Sequence, residues 1–181
     1  MKELKSTKNL TVMGVLAAIS IILIYLIRLP IIPSAPFLEY EPGDIPLYMI
    51  AFLYGPVSGL VVTILVSFLQ GITVSASSGI IGIIMHIFAT GAFVLVAGSI
   101  YRVKKSRKQM IFALIAGILV MVVTMCIWNI LITPLYMGVP MNVVIQMLIP
   151  AIIPFNLIKA GINSIVTMLV YEAIIGVIKV R

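Results

Sequence analysis

The chain has 181 residues, 62% of them hydrophobic and 9% charged, with a mean hydropathy of +1.28 and a net charge of +7. A soluble domain carries about 25% charged residues, so this composition excludes one and indicates an all-α polytopic membrane protein. The positive charge is not a nucleic-acid signature. It sits in Lys2, Lys5 and Lys8, in the run Arg102–Lys108, and in Lys179 and Arg181, clusters flanking apolar stretches as the positive-inside rule requires.

In chain order, the first apolar run is Leu10–Leu29. Lysines ahead of it resemble a secretory leader, but the run is too long for one and no A-x-A site follows, so a retained first helix is expected. Within it, Gly14 and Ala18 form a small-x-x-x-small pair, which lets a second helix approach closely, inside the bundle or on a partner subunit. The segment Pro33–Pro46 is too proline-rich for a regular helix and holds Glu39, Glu41 and Asp44, three of the five acidic residues. It reads as an external loop, either a solvated turn or a lid over an outward pocket. Hydrolase chemistry or a calcium site on these carboxylates lacks a companion nucleophile, base or ligand set.

The run Ile45–Leu69 contains Gly55-Pro56, a strong helix breaker. Left unbroken, it gives five helices and puts the basic loop opposite the basic amino end. Split, it gives a short second helix at 45–54 and a third at 56–72, followed by helices near 79–101, 110–134 and 149–178. The six spans, near 10–29 for the first, form one domain over residues 1–181 with both termini and the basic loop cytoplasmic. A second helix of ~15 Å covers half a bilayer, and needs shelter from protein or a locally thinned membrane. Tyr136–Met147 reads as a second external loop.

Lys159 carries the functional signal. An ammonium near the middle of a span costs about 2.5–3.5 kcal/mol, whereas one aliphatic side chain returns about 0.3–0.6. Such a group faces a cavity or a partner. Asn156, Lys159 and Asn163 recur at i, i+3 and i+7 on one helix face, after Pro150 and Pro154, which suit a first turn or a kink. Glu172, the one acidic residue inside the spans, lies about 20 Å further along the helix, so the partner of Lys159 is a loop carboxylate folded inward or a ligand group. Asn129, beside Trp128 on helix five, falls at similar depth. Two amides, an ammonium and aromatic faces suit a flat heterocycle with a polar edge. Trp128 itself reads as an interface anchor, His86 as a hydrogen-bonded packing residue, and Gln70 as a candidate for the pocket rim. Tyr40 joins Glu39, Asp44, Gln70 and Asn163 as further candidate ligand contacts. With Cys126 and His86 the only residues of their types, no Cys/His metal set exists and no catalytic cofactor is indicated.

Four stretches carry a family resemblance: residues Phe37–Pro46 (FLEYEPGDIP), Phe52–Gly59 (FLYGPVSG), Asn129–Gly138 (NILITPLYMG) and Ile152–Lys159 (IIPFNLIK). On these the chain resembles the riboflavin-specific S components of energy-coupling factor (ECF) vitamin transporters. The resemblance implies six helices, cytoplasmic ends and a vitamin pocket near the outer surface, closed by the loop before helix two. It implies that Asn129, Asn156 and Lys159 hydrogen-bond the isoalloxazine edge of riboflavin, the transported ligand. It further implies that Gly14 and Ala18 dock on a transmembrane coupling subunit driven by two ATPase subunits, so this chain is a binding subunit and not an enzyme. The chain departs from the pattern in having Val66–Gln70 where riboflavin-type relatives often carry a lysine and an asparagine, and glycine at position 14 in place of alanine. The residues alone leave two other readings open: an S component for another vitamin or heterocycle, and a solitary ion-coupled carrier in which Lys159 or His86 titrates.

Overall fold

The computed structural model describes residues 7–179, apart from the side chains of Ser77 and residues 175–179. Lys2, Lys5, Arg181 and the side chain of Lys179, all used in the topology argument, lie outside the described residues. Among the described residues six helices build the molecule: α1 (Thr7–Leu26), α2 (Asp44–Tyr54), α3 (Pro56–Ile72), α4 (Gly79–Val103), α5 (Arg107–Met137) and α6. The last runs unbroken through Met141–Met147, a π-helical turn at Leu148–Ile152, and Ile153–Lys179. Four of them, α1, α4, α5 and α6, are long and apolar enough to cross a membrane. A two-stranded antiparallel clip, β1 (Leu29–Pro30) with β2 (Glu39–Tyr40), closes the loop between α1 and α2, pairing Leu29 with Tyr40.

The break between α2 and α3 falls at Gly55, whose φ of +97° suits a residue without Cβ, and Pro56 occupies the first turn of α3. All residues from Asp44 to Phe52 are buried. The short helix is therefore sheltered by protein on every side, the first of the two solutions open to a half-span. Small residues make room for it. A Cβ on Gly59 of α3 would lie 2.8 Å from Ala51 Cβ and 3.1 Å from Ala51 Cα, and one on Gly98 of α4 would lie 3.1 Å from Pro56 Cα. Beneath this contact, Tyr48 stacks on Phe93 with ring centroids 3.7 Å apart, and Phe52 meets Tyr101 and Tyr171 edge-on.

Helix α1 is attached along one face. Met13, Ala17 and Ile24 pack against Leu47 and Ile50 of α2 and Val62 and Val66 of α3. On one flank an apolar groove separates α1 from α6, lined by Leu16, Ile19 and Leu23 against Val166 and Val170. Gly14 and Ala18 are exposed on the opposite flank, and a Cβ on Gly14 meets nothing within 4 Å.

The helix boundaries differ most from the sequence expectation between α5 and α6. The external loop expected over Tyr136–Met147 shrinks to residues 138–140, because α5 continues through Pro134 to Met137 and α6 begins at Met141 rather than near 149. Gly138, at φ +66°, caps α5 by donating to the Pro134 carbonyl. Pro150 and Pro154 do not start a helix. In a regular α-helix a proline ring clashes with the carbonyl four residues back, and the wider π turn at Leu148–Ile152, which contains Pro150, carries the helix past this point without ending it.

Gly59→Ala is expected to lower the thermal unfolding midpoint in detergent, by about 1–3 kcal/mol of overpacking against Ala51. Gly14→Ala, facing open space, is expected to leave the midpoint unchanged.

Candidate functional site

Lys159 lies on the inward face of α6, 7% exposed. Its Nζ is 3.4 Å from Glu41 Oε1 and 3.6 Å from Asp44 Oδ2. The ammonium thus finds its partners in carboxylates that the acidic loop folds inward, one of the two outcomes the sequence allowed. The short second helix makes this possible. Eleven residues rise only about 16 Å, so the chain that leads into α2 has to descend into the bundle and takes Glu41 and Asp44 with it.

Each carboxylate is held by several donors. Asp44 Oδ1 accepts from Thr90 Oγ1 at 2.8 Å and faces His86 Nε2 at 3.1 Å; Oδ2 is 3.4 Å from Asn163 Nδ2. Asp44 therefore fixes a proton on Nε2. On the far side of the ring, Ser67 Oγ donates to the Thr63 carbonyl at 2.6 Å and lies 2.6 Å from His86 Nδ1. Glu41 accepts from Gln70 Nε2 at 2.9 and 3.1 Å through its two oxygens, and its backbone carbonyl takes Asn163 Nδ2 at 3.3 Å. Tyr40 donates to Asn163 Oδ1 at 3.1 Å; burial pushes its phenol up, with the Lys159 ammonium opposing, so the donor stays protonated. Glu39 alone among the three loop acids stays out of this cluster and pairs with Arg28, which also donates to the Val74 carbonyl at 2.8 Å.

Beside this cluster is a cavity with about 170 Å³ open to the centres of water molecules. Asn156 and Lys159 of α6 and Gln70, Ser67, His86 and Thr90 of α3 and α4 supply its polar wall. Met85, Met121, Met125 and Phe155 supply apolar faces, and Phe37, Glu39 and Glu41 bring the loop over it. The amide of Asn156 donates to the Ile152 carbonyl at 2.8 Å, which turns its Oδ1 into the end available to a ligand. Asn163 and Asp44 stand behind Lys159 as its supports.

Asn129 is placed differently from Asn156. It is 1% exposed, does not line the cavity among the described residues, and uses both ends of its amide along α5: Nδ2 donates to the Met125 carbonyl, and Oδ1 accepts from Thr133, each at 2.8 Å. Trp128 sits against Phe88, ring centroids 4.4 Å apart. Sequence reasoning also missed Ser67, Thr90 and Arg28, and gave His86 as a hydrogen-bonded packing residue or the titrating group of an ion-coupled carrier, not as part of a cavity wall. The signal was present for the first. Thr63, Ser67 and Gln70 recur at i, i+4 and i+7 on α3, the same logic that singled out the stripe on α6.

A helical membrane protein that holds a polar cavity under an inward-folded loop is a small-molecule-binding membrane protein. Comparison with known proteins narrows the class. Residues 8–171 match the family model for the substrate-specific component of ECF transporters. The riboflavin transporter RibU of Staphylococcus aureus is 30% identical over 98% of this chain and 95% of its own, and the riboflavin transporter FmnP of Bacillus subtilis is 26% identical over 91% and 90%. A solved S component of a bacterial ECF transporter superposes with a TM-score of 0.82, at 31% identity, covering 95% of this chain and 98% of that one. The chain belongs to the substrate-specific components of ECF transporters.

Removing Asp44 leaves a buried ammonium and several donors short of their acceptor, and losing one member of a buried ion pair costs about 3–5 kcal/mol. Asp44→Ala is expected to lower the unfolding midpoint far more than Glu39→Ala, whose ion pair is part-exposed. Equal midpoints for the two variants would remove Asp44 from the centre of the cluster.

Proposed function

We propose that the chain is the riboflavin-binding subunit of an ATP-driven ECF importer, oriented with both termini and the Arg102–Lys108 loop in the cytoplasm and taking the vitamin from outside. The reading is carried by one observation: a buried ammonium, Lys159, shares a cavity wall with a free amide oxygen on Asn156, opposite methionine and phenylalanine faces. A flat ring with a polar edge matches that division, and the names of the relatives point to a flavin. In this proposal Lys159 and Asn156 bind the ring edge and the loop carrying Tyr40 and Glu41 covers it. Asp44 and Asn163 hold Lys159 in place. Asn129 enters the site only by exchanging Thr133 for ligand.

Energy comes from outside the chain. We assign it to two ATPase subunits working through a transmembrane coupling subunit, which docks on α1 where Gly14 and Ala18 are bare. Small residues suit that role, since helix association within lipid depends on close backbone approach.

The purified protein is expected to carry or take up a yellow, flavin-like absorption. A colourless preparation that fails to bind added riboflavin in calorimetry defeats the assignment. Asn156→Ala is expected to weaken binding by about 1–3 kcal/mol, the cost of an unpaired ligand group, and Lys159→Ala by about tenfold or more, with insertion into the membrane intact. Gly14→Leu is expected to abolish uptake in cells with riboflavin affinity of the purified protein unchanged. Uptake that survives loss of the ATPase subunits would instead indicate an ion-coupled carrier.

A further inference from the structure

We propose that Gln70 is a specificity-determining residue, whose side-chain oxygen reads an N–H or O–H donor on the bound ligand. The inference rests on the flavin reading above and deepens it. Gln70 is 7% exposed at the outer end of α3 and lines the cavity. Its nitrogen is fully engaged, donating to both oxygens of Glu41 and, at 3.2 Å, to Ser75 Oγ. Its oxygen, Oε1, is buried without a hydrogen-bond partner. Rotating the amide by half a turn does not relieve this, because Oε1 would then face the Glu41 carboxylate, acceptor against acceptor. Glu41 therefore locks the amide in one sense and leaves its oxygen as a fixed acceptor.

Buried acceptors without a partner are uncommon, and one in a cavity wall asks for a ligand donor. A site built this way rejects molecules lacking the donor far more strongly than an apolar pocket rejects a missing methylene. The neighbouring chemistry agrees. Asn156 presents a second oxygen by the same device, its nitrogen spent on the Ile152 carbonyl, and Glu41 adds a carboxylate. These acceptors stand in the wall beside the donors Lys159 and Arg28, so a ligand that fills the cavity has to bring a donor of its own to meet them. Riboflavin offers two kinds of donor, the imide N–H of its ring and the hydroxyls of its ribityl chain.

The test is a binding cycle on the full chain in detergent, read by quenching of flavin fluorescence. Riboflavin, 3-methylriboflavin (imide donor blocked) and lumiflavin (hydroxyl chain absent) are titrated into the parent and into Gln70→Leu. Leucine removes the oxygen together with the Glu41 bond, so riboflavin itself is expected to weaken about 10- to 100-fold. The deciding quantity is the penalty for each analogue relative to riboflavin. One of the two penalties seen in the parent is expected to shrink about tenfold or more in the variant, and which one tells the donor that Gln70 reads. Penalties identical in parent and variant overturn the proposal. So do analogues that bind the parent as tightly as riboflavin, a result that needs no variant to fold. A parent that binds none of the three overturns the flavin reading itself, and this inference with it.

Discussion

The molecule is organised around one ammonium that has to be neutralised away from water. Lys159 has two carboxylates within 3.6 Å, and neither belongs to a neighbouring long helix. Both arrive on the segment that enters α2, so the charge pairing joins the last helix to the chain between α1 and α2, 118 residues apart for Lys159 and Glu41. In a low-dielectric interior such a pairing is worth having only when the remaining valences are filled. Thr90, His86, Asn163 and Gln70 fill them, drawing α3 and α4 into the same network.

The shortness of α2 is the geometric condition for that network. A full-length second helix would begin at the membrane surface and leave Asp44 and Glu41 in water. Instead Asp44 begins the helix in the interior, and Gly55 ends it within reach of the Arg102 guanidinium at the end of α4. The glycines at 59 and 98 allow α3 and α4 to close around it, and non-helical chain precedes it in the bundle. Irregular backbone at membrane depth is tolerated where protein encloses it, and here Ala35 and Leu38 are buried against Val144, Ile152 and Phe155 of α6.

Much of this was legible in the sequence. The split at Gly55-Pro56, the polar stripe of α6 and the anomaly of Lys159 follow from local chemistry with long-known costs, and the inward carboxylate was one of the two partners it left open. Other parts were hidden for physical reasons. Nothing local distinguishes Glu39, which pairs with Arg28, from Glu41, which turns in; the difference is set by the β1–β2 clip. The serine and threonine stripe of α3 is a weak signal, since a hydroxyl in a helix can satisfy itself on the carbonyl four residues back, as Ser67 does on Thr63. The paired prolines of α6 resemble a helix start because a π turn leaves no mark of its own in sequence. The sequence puts Asn129 at a depth similar to that of Asn156, but depth does not fix which way a side chain faces around its helix, and only Asn156 lines the cavity.

The attachment of Glu41 has a mechanical corollary. Its side chain grips Lys159 and Gln70 while its backbone carbonyl grips Asn163, so the loop cannot swing aside one bond at a time. Opening it means parting an ammonium from a carboxylate and both from their amide partners together. A strap tied through both its side chain and its backbone therefore moves only together with the faces of α3 and α6 that it grips.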